Sequence, residues 1–104
     1  YQIKHLGENN WIPWKMKIQA ILGDKGLQGY IDGTKPKPDR GPDPVTDKRL
    51  AAIAKWEAED RKVRTVIVLL VRDAQMVHLT GAATAKEMWD QLKLVKESRG
   101  QQGI

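Results

Sequence analysis

Two short segments near the ends of the chain, Asn10-Trp11-Ile12-Pro13-Trp14-Lys15 and Thr84-Ala85-Lys86-Glu87-Met88-Trp89-Asp90, constrain its fold more than any other feature. Each sets a large aromatic residue just after a residue able to cap a helix, with apolar residues following at three- and four-residue steps. After Trp11 those positions are Trp14, Ile18, Ile21 and Leu22, with Lys15, Lys17 and Gln19 in the gaps. Such spacing puts the indoles on one stripe of a helix, and a stripe that large must be buried. Asn9 or Asn10 can cap the first helix, Pro13 is tolerated in its first turn, and Gly23 is a natural stop. In the second segment Thr84 and Glu87 have capping-box spacing, and Met88, Trp89, Leu92 and Val95 fall on the inward stripe.

Between these helices the pattern predicts three more elements. Residues 24–31 read as a short second helix bringing Leu27, Tyr30 and Ile31 to the core, weakened by about 1 kcal/mol each at Gly26 and Gly29. Residues 32–45 hold four of the five prolines, which excludes a helix or an interior strand and predicts a surface loop. Thr46 caps a long third helix, with Leu50, Ile53, Trp56, Val63, Val66, Ile67 and Leu70 at helical intervals. The run Val66-Ile67-Val68-Leu69-Leu70-Val71 is β-branched enough for a buried strand, but no alternating partner strand exists elsewhere, so helix is the better reading. Its continuous hydrophobicity predicts a helix end enclosed on most sides at the centre of the fold. Asp73 opens a short fourth helix through Met76, Val77 and Leu79, and Gly81 breaks the chain before the fifth. Residues 98–104 are Gly- and Gln-rich and read as a hinge or the frayed start of a following domain. The expected architecture is all-α: a compact bundle of about five helices over residues 1–97, with a Pro-rich loop between helices two and three.

A chain of 104 residues with 40% hydrophobic and 30% charged content is enough for one modest core without disulfides or metal. No apolar run is long enough to span a bilayer and no signal peptide opens the chain, so no membrane partner is expected. Zero cysteines remove thiolate nucleophiles and Cys-based zinc sites, and fit a cytoplasmic setting. A net charge of +5 favours polyanions, with Lys4, Lys15, Lys17, Lys35, Lys37 and Arg40 as the residues that would meet RNA. The same charges, interspersed with Asp and Glu, also fit an ordinary solvated surface.

Chemistry is not visible. His5 and His78 are the only histidines and have no metal-ligand spacing around them. Glu57, Glu59 and Asp60 stand beside Arg61, Lys62 and Arg64, which makes local ion pairs a better account than an acid–base pair. Gly23, Gly26 and Gly29 follow no strand and precede no Gly-Lys-Ser or Gly-Lys-Thr, so they do not form a phosphate cradle. Trp14, Trp56 and Trp89 lie on apolar stripes, where core packing outweighs base stacking. No catalytic residue, cofactor, metal site or small-molecule substrate is expected.

The chain resembles the Gag polyprotein of copia-type LTR retrotransposons. The resemblance rests on Leu6, Gly7, Asn10, Trp11, Trp14 and Lys15, on Ile31 with Gly33 and Pro36, and on the step from Trp56 to Asp60. It continues through Ile67, Leu69 and Leu70 to the most specific block, residues 84–90 with Leu92. Trp11 stands where the family more often has Tyr, and Val63 where a small residue is usual. The resemblance implies the amino-terminal capsid domain of Gag, packed around five-fold and six-fold axes and followed by a second helical domain. It implies the chain itself as principal partner and weak RNA contact at most in this fragment.

On that reading the ring contacts are expected at Lys15, Lys17 and Gln19 on helix one and at Lys35 and Lys37 in the loop. The core is expected at Trp11, Trp14, Trp56, Ile67, Leu70, Trp89 and Leu92. Two other readings stay open: a host-domesticated Gag-like protein-interaction domain, and a basic RNA-binding helical domain.

Overall fold

The computed structural model describes the backbone of residues 2–102 and the side chains of residues 2–98. The architecture is all-α: α1 (Trp11–Asp24), α2 (Gly29–Asp32), α3 (Asp47–Leu69), a 3-10 helix (Asp73–Leu79) and α4 (Ala85–Gln102). One buried cluster joins them, built from Leu6, Trp11, Trp14, Ile18 and Leu22 on one side and Val63, Ile67, Met88, Trp89 and Leu92 on the other.

α1 begins at Trp11, but Asn10 does not cap it with its side chain. Its carboxamide closes the preceding turn instead, accepting from the Gly7 amide at 2.7 Å and donating to the His5 carbonyl at 2.9 Å. The second helix is a single turn, Gly29–Asp32, not the expected 24–31. Gly26 takes φ +71 and turns the chain straight after α1, a conformation that a helix cannot contain.

Thr46 caps α3, accepting the Arg49 amide at 3.1 Å. The Pro-rich loop lies along the first half of this helix and is pinned to it. Trp56 donates its indole N–H to the Lys35 carbonyl at 2.7 Å, Arg49 donates to the Asp39 carbonyl at 3.2 Å, and Lys37 pairs with Glu57 at 3.1 Å. Trp56 is therefore a half-buried clamp on the loop, packed against the core rather than within it.

The far end of α3 is not enclosed. Only Asp60, Val63 and Ile67 are buried on this helix, while Val66, Val68 and Leu70 are half-buried and Leu50 and Leu69 face solvent. The β-branched run serves two structures: the helix stops at Leu69, and Val71 leaves it to form a parallel bridge with Leu6. The Leu6 amide donates to the Leu70 carbonyl and the Arg72 amide to the Leu6 carbonyl, both at 2.9 Å. The run thus carries a strand-like contact at its end and a helix before it, as its mixed composition permits.

The fourth helix is 3-10; it buries Gln75 and Leu79 and leaves Met76 and Val77 exposed. At the start of α4 Thr84 accepts the Glu87 amide at 3.2 Å, but Glu87 reaches back to the Ala83 amide at 3.0 Å, one residue earlier than a capping box requires. The buried carboxylate of Asp60 takes the Ala85 amide at 3.0 Å and ties α3 to the first turn of α4. α4 buries Met88, Trp89 and Leu92, leaves Val95 half-buried, and runs to Gln102 past the hinge expected after Glu97. Gly103 and Ile104, the end of that expected hinge, lie outside the described residues.

Candidate assembly surface

α1 and α4 meet over a cluster of three indoles. Trp11 and Trp14 stand 5.8 Å apart between centroids, Trp11 and Trp89 5.8 Å, and Trp14 and Trp89 6.0 Å. Trp14 donates its indole N–H to the Leu70 carbonyl at 2.8 Å, which satisfies the polar edge of a ring that is otherwise wholly buried. The cluster packs the two helices against each other through their indoles.

Glu97 closes the edge of this junction. Its Oε2 accepts from Lys15 and, at 3.2 Å, from the Trp11 indole. The Lys15 hydrogen bond holds the carboxyl below the ordinary glutamate value of 4.5, with the Trp11 bond adding to it and burial opposing. A depressed folded-state value means that the stabilisation is present above 4.5 and is lost as pH falls through the lower, folded value. Glu97→Gln should therefore melt below the parent at neutral pH, and the gap should close in acid. A thermal-unfolding series from pH 7 to pH 3 checks this, and a gap that stays constant would remove the Lys15–Glu97 pair as its cause.

The five residues expected at ring contacts do not share one environment. Lys15 is engaged by Glu97 and only 24% exposed, so it belongs to the α1–α4 junction rather than to a free surface. Lys17 and Gln19 are exposed on α1, and Lys17 has no ion pair among the described residues. Lys35 and Lys37 lie on a different seam, between the loop and α3. The Lys35 ammonium sits 5.7 Å over the Tyr30 ring, whose other neighbour is Trp56 at 5.6 Å, and Lys37 is held by Glu57. The basic set expected for RNA is likewise thinned: Lys15 and Lys37 are paired, Arg40 meets Asp43 at 3.3 Å, and Lys4 is exposed.

Two features of this surface escape a reading of inward stripes. On α1, Ile12 and Met16 are 59% and 64% exposed, pointing away from the core one turn apart. The signal was in the sequence, since these two apolar residues fall off the Trp14, Ile18, Ile21 stripe. On α4, Asp90, Lys93, Leu94, Glu97 and Ser98 line an open groove of about 430 Å³, with Leu94 71% exposed. Nothing in this arrangement joins a nucleophile to a base. Among the described residues no group of three or more His, Cys, Asp or Glu is placed to hold a metal ion. Among the described residues no helix is long and apolar enough to cross a membrane.

Residues 18–102 match the gag-polypeptide family of LTR copia-type. The chain is also similar to a retrovirus-related Pol polyprotein from transposon RE2 of Arabidopsis thaliana, 22% identical over 95 residues, covering 89% of this chain and 6% of that polyprotein. No solved structure matches.

Proposed function

We propose, because this chain belongs to the gag-polypeptide family of copia-type LTR elements, that it is a structural Gag domain which self-associates through repeated surface contacts into a shell around the element's RNA. The observation that carries this reading is the family match across residues 18–102. Residues 1–97 act as the amino-terminal capsid unit, and the chain from residue 98 leads towards the next domain. Its partner is a further copy of itself, its setting is the cytoplasm, and its contact with RNA in this fragment is weak. It takes no small-molecule substrate and binds no membrane.

The physical task is to hold a fixed shape while making many weak contacts. A heterologous contact that closes by rotation makes rings, and many such contacts summed around a shell are stable although each is weak. The indole cluster and the Asp60 link between α3 and α4 suit a rigid unit of this kind.

Negative-stain electron microscopy tests the proposal on the polypeptide extended through its next domain, beside the 104-residue chain at matched concentration. Uniform closed particles from the longer polypeptide support it. Persistent monomers across low and moderate salt would overturn it and favour a domesticated Gag-like domain that binds a different protein.

A further inference from the structure

We infer that the solvent face of α3 packs antiparallel against the same face of a second copy, about a two-fold axis at Ala54; the inference rests on the self-association reading above. The core and the Pro-rich loop occupy one side of this helix, through Asp60, Val63 and Ile67 and through Trp56 and Arg49. At about 100° per residue, the opposite side carries Asp47, Ala51, Ala54, Ala58 and Arg61, with Leu50 at its edge, and all six are exposed. A solvent face normally carries polar residues along its length, whereas here three alanines and a leucine fill the stretch between one acid and one base. Neither charge is matched within the molecule: Asp47 and Arg61 have no ion pair among the described residues.

The spacing of that acid and base selects the partner. They stand about 21 Å apart along the helix at 1.5 Å per residue. An antiparallel pair with Ala54 on the axis puts Asp47 of each copy opposite Arg61 of the other, and lays Leu50 of each over Ala58 of the other. Alanines let the helix axes approach to the short end of the usual range of about 8–10 Å, and Leu50 fills the space beside them. Parallel packing would set Asp47 against Asp47 and Arg61 against Arg61. Moving the axis to Ala58 would set Arg61 against Lys55, and moving it to Ala51 would carry Arg61 past the end of the other copy's helix. Lys55 lies near the axis but about 100° round the helix from Ala54, so it extends to solvent on the flank that also carries Glu59. The patch is small, so one such contact falls below the roughly 1,200 Å² of a standard stable interface and suits an assembly held by many weak contacts. Because the same patch serves both copies, the contact is isologous: it joins copies in pairs and leaves the closing of rings to other faces.

The chain has no cysteine, so single introduced thiols report contact without background. Ala51→Cys, Ala54→Cys and Ala58→Cys chains are each oxidised with glutathione disulfide, and the homodimers are measured on a non-reducing gel; Lys17→Cys, exposed on α1, sets the level of random collision. A disulfide needs Cα atoms about 4.4–6.8 Å apart, which only the residue on the axis meets, since positions 51 and 58 lie about 9 Å and 12 Å along the helix from their counterparts. Ala54→Cys should therefore dimerise several-fold faster than Lys17→Cys and faster than either neighbour. Adding Asp47→Arg or Arg61→Asp alone should return it to the Lys17→Cys level, and adding both together should restore it, because the reversed pair is again complementary. Circular dichroism checks that each variant keeps its helices, and the double reversal gives a gain that misfolding cannot imitate. Dimerisation at the random level, a maximum at Ala51→Cys or Ala58→Cys, or no recovery in the double reversal would overturn the inference. Closed particles from the longer polypeptide without this cross-link would sink the α3 contact and leave the shell reading standing. The cross-link without particles would do the reverse.

Discussion

Trp14→Ala should lower the stability of the chain by about 3–5 kcal/mol, the range found when a large buried aromatic is truncated. A small domain has only about 5–15 kcal/mol to lose, so the variant should be partly unfolded at 37 °C or melt many degrees below the parent. The expected size follows from what the ring touches. It is 1% exposed, contacts both other indoles of the cluster, and reaches the Leu70 carbonyl. Truncation leaves a cavity between α1 and α4 that their backbones cannot close without losing the Trp11–Trp89 contact as well. Trp14→Phe keeps a six-membered ring in the cluster but removes the pyrrole part of the indole with its N–H, and Leu70 retains the Leu6 amide as donor, so the loss should be smaller, nearer about 1–2 kcal/mol. Urea unfolding followed by circular dichroism measures both. A loss below about 1 kcal/mol for the alanine variant would show that the cluster does not hold the helices together.

The contrast with Trp56 shows which parts of this fold the sequence made legible. Helical spacing assigned Trp14, Trp56 and Trp89 alike to apolar stripes, and the type and order of the long helices followed from that spacing. Spacing along a helix does not say what lies opposite. α3 is buried mainly over its second half, so Trp56, in the first half, is half-buried against Tyr30 and the loop backbone. The short elements were less legible for a related reason. α2 shrinks because Gly26 turns left-handed in a local turn that closes α1, and residues 73–79 wind as a 3-10 helix that leaves Met76 and Val77 exposed, windings that the spacing of apolar residues does not reveal. The Leu6–Val71 bridge joins segments far apart in sequence, each too short to announce a strand.

The candidate surface was legible in part. Lys17 and Gln19 stay exposed as their positions on α1 predict, whereas Lys15, two residues from Lys17, is drawn in by Glu97 from the far end of the chain. A formal charge in the sequence cannot reveal such a partner. The more useful sign was apolar: Ile12 and Met16 add hydrophobic surface where an amphipathic helix would carry polar residues.

Asp60→Ala should be the second most damaging change, costing about 2–4 kcal/mol, although it removes a single carboxylate on a helix rich in charge. Glu57 and Glu59 pair with Lys37 and Lys62 near solvent, and exposed pairs of that kind contribute little. Asp60 is 2% exposed, and it serves two donors at once. Oδ1 takes the Ala85 amide at 3.0 Å, one of the free amides at the start of α4, and Oδ2 takes Arg64 Nε at 2.9 Å. Alanine strands the Ala85 N–H in the interior; Arg64, about a third exposed, recovers part of its loss from water. Asp60→Asn keeps an acceptor for Ala85 and should cost less, roughly 1–2 kcal/mol, because the Ala85 bond survives while Arg64 loses both the charge and the second acceptor oxygen, which becomes an NH2 donor. Arg64→Ala should also destabilise, and the double variant should fall short of the sum of the two, with a coupling of about 0.5–3 kcal/mol. The effect should change little between low and moderate salt, since a buried pair is poorly screened. Additive losses in that cycle would mean that Asp60 acts through the α4 amide alone, and a strong salt dependence would mean that the site opens to water.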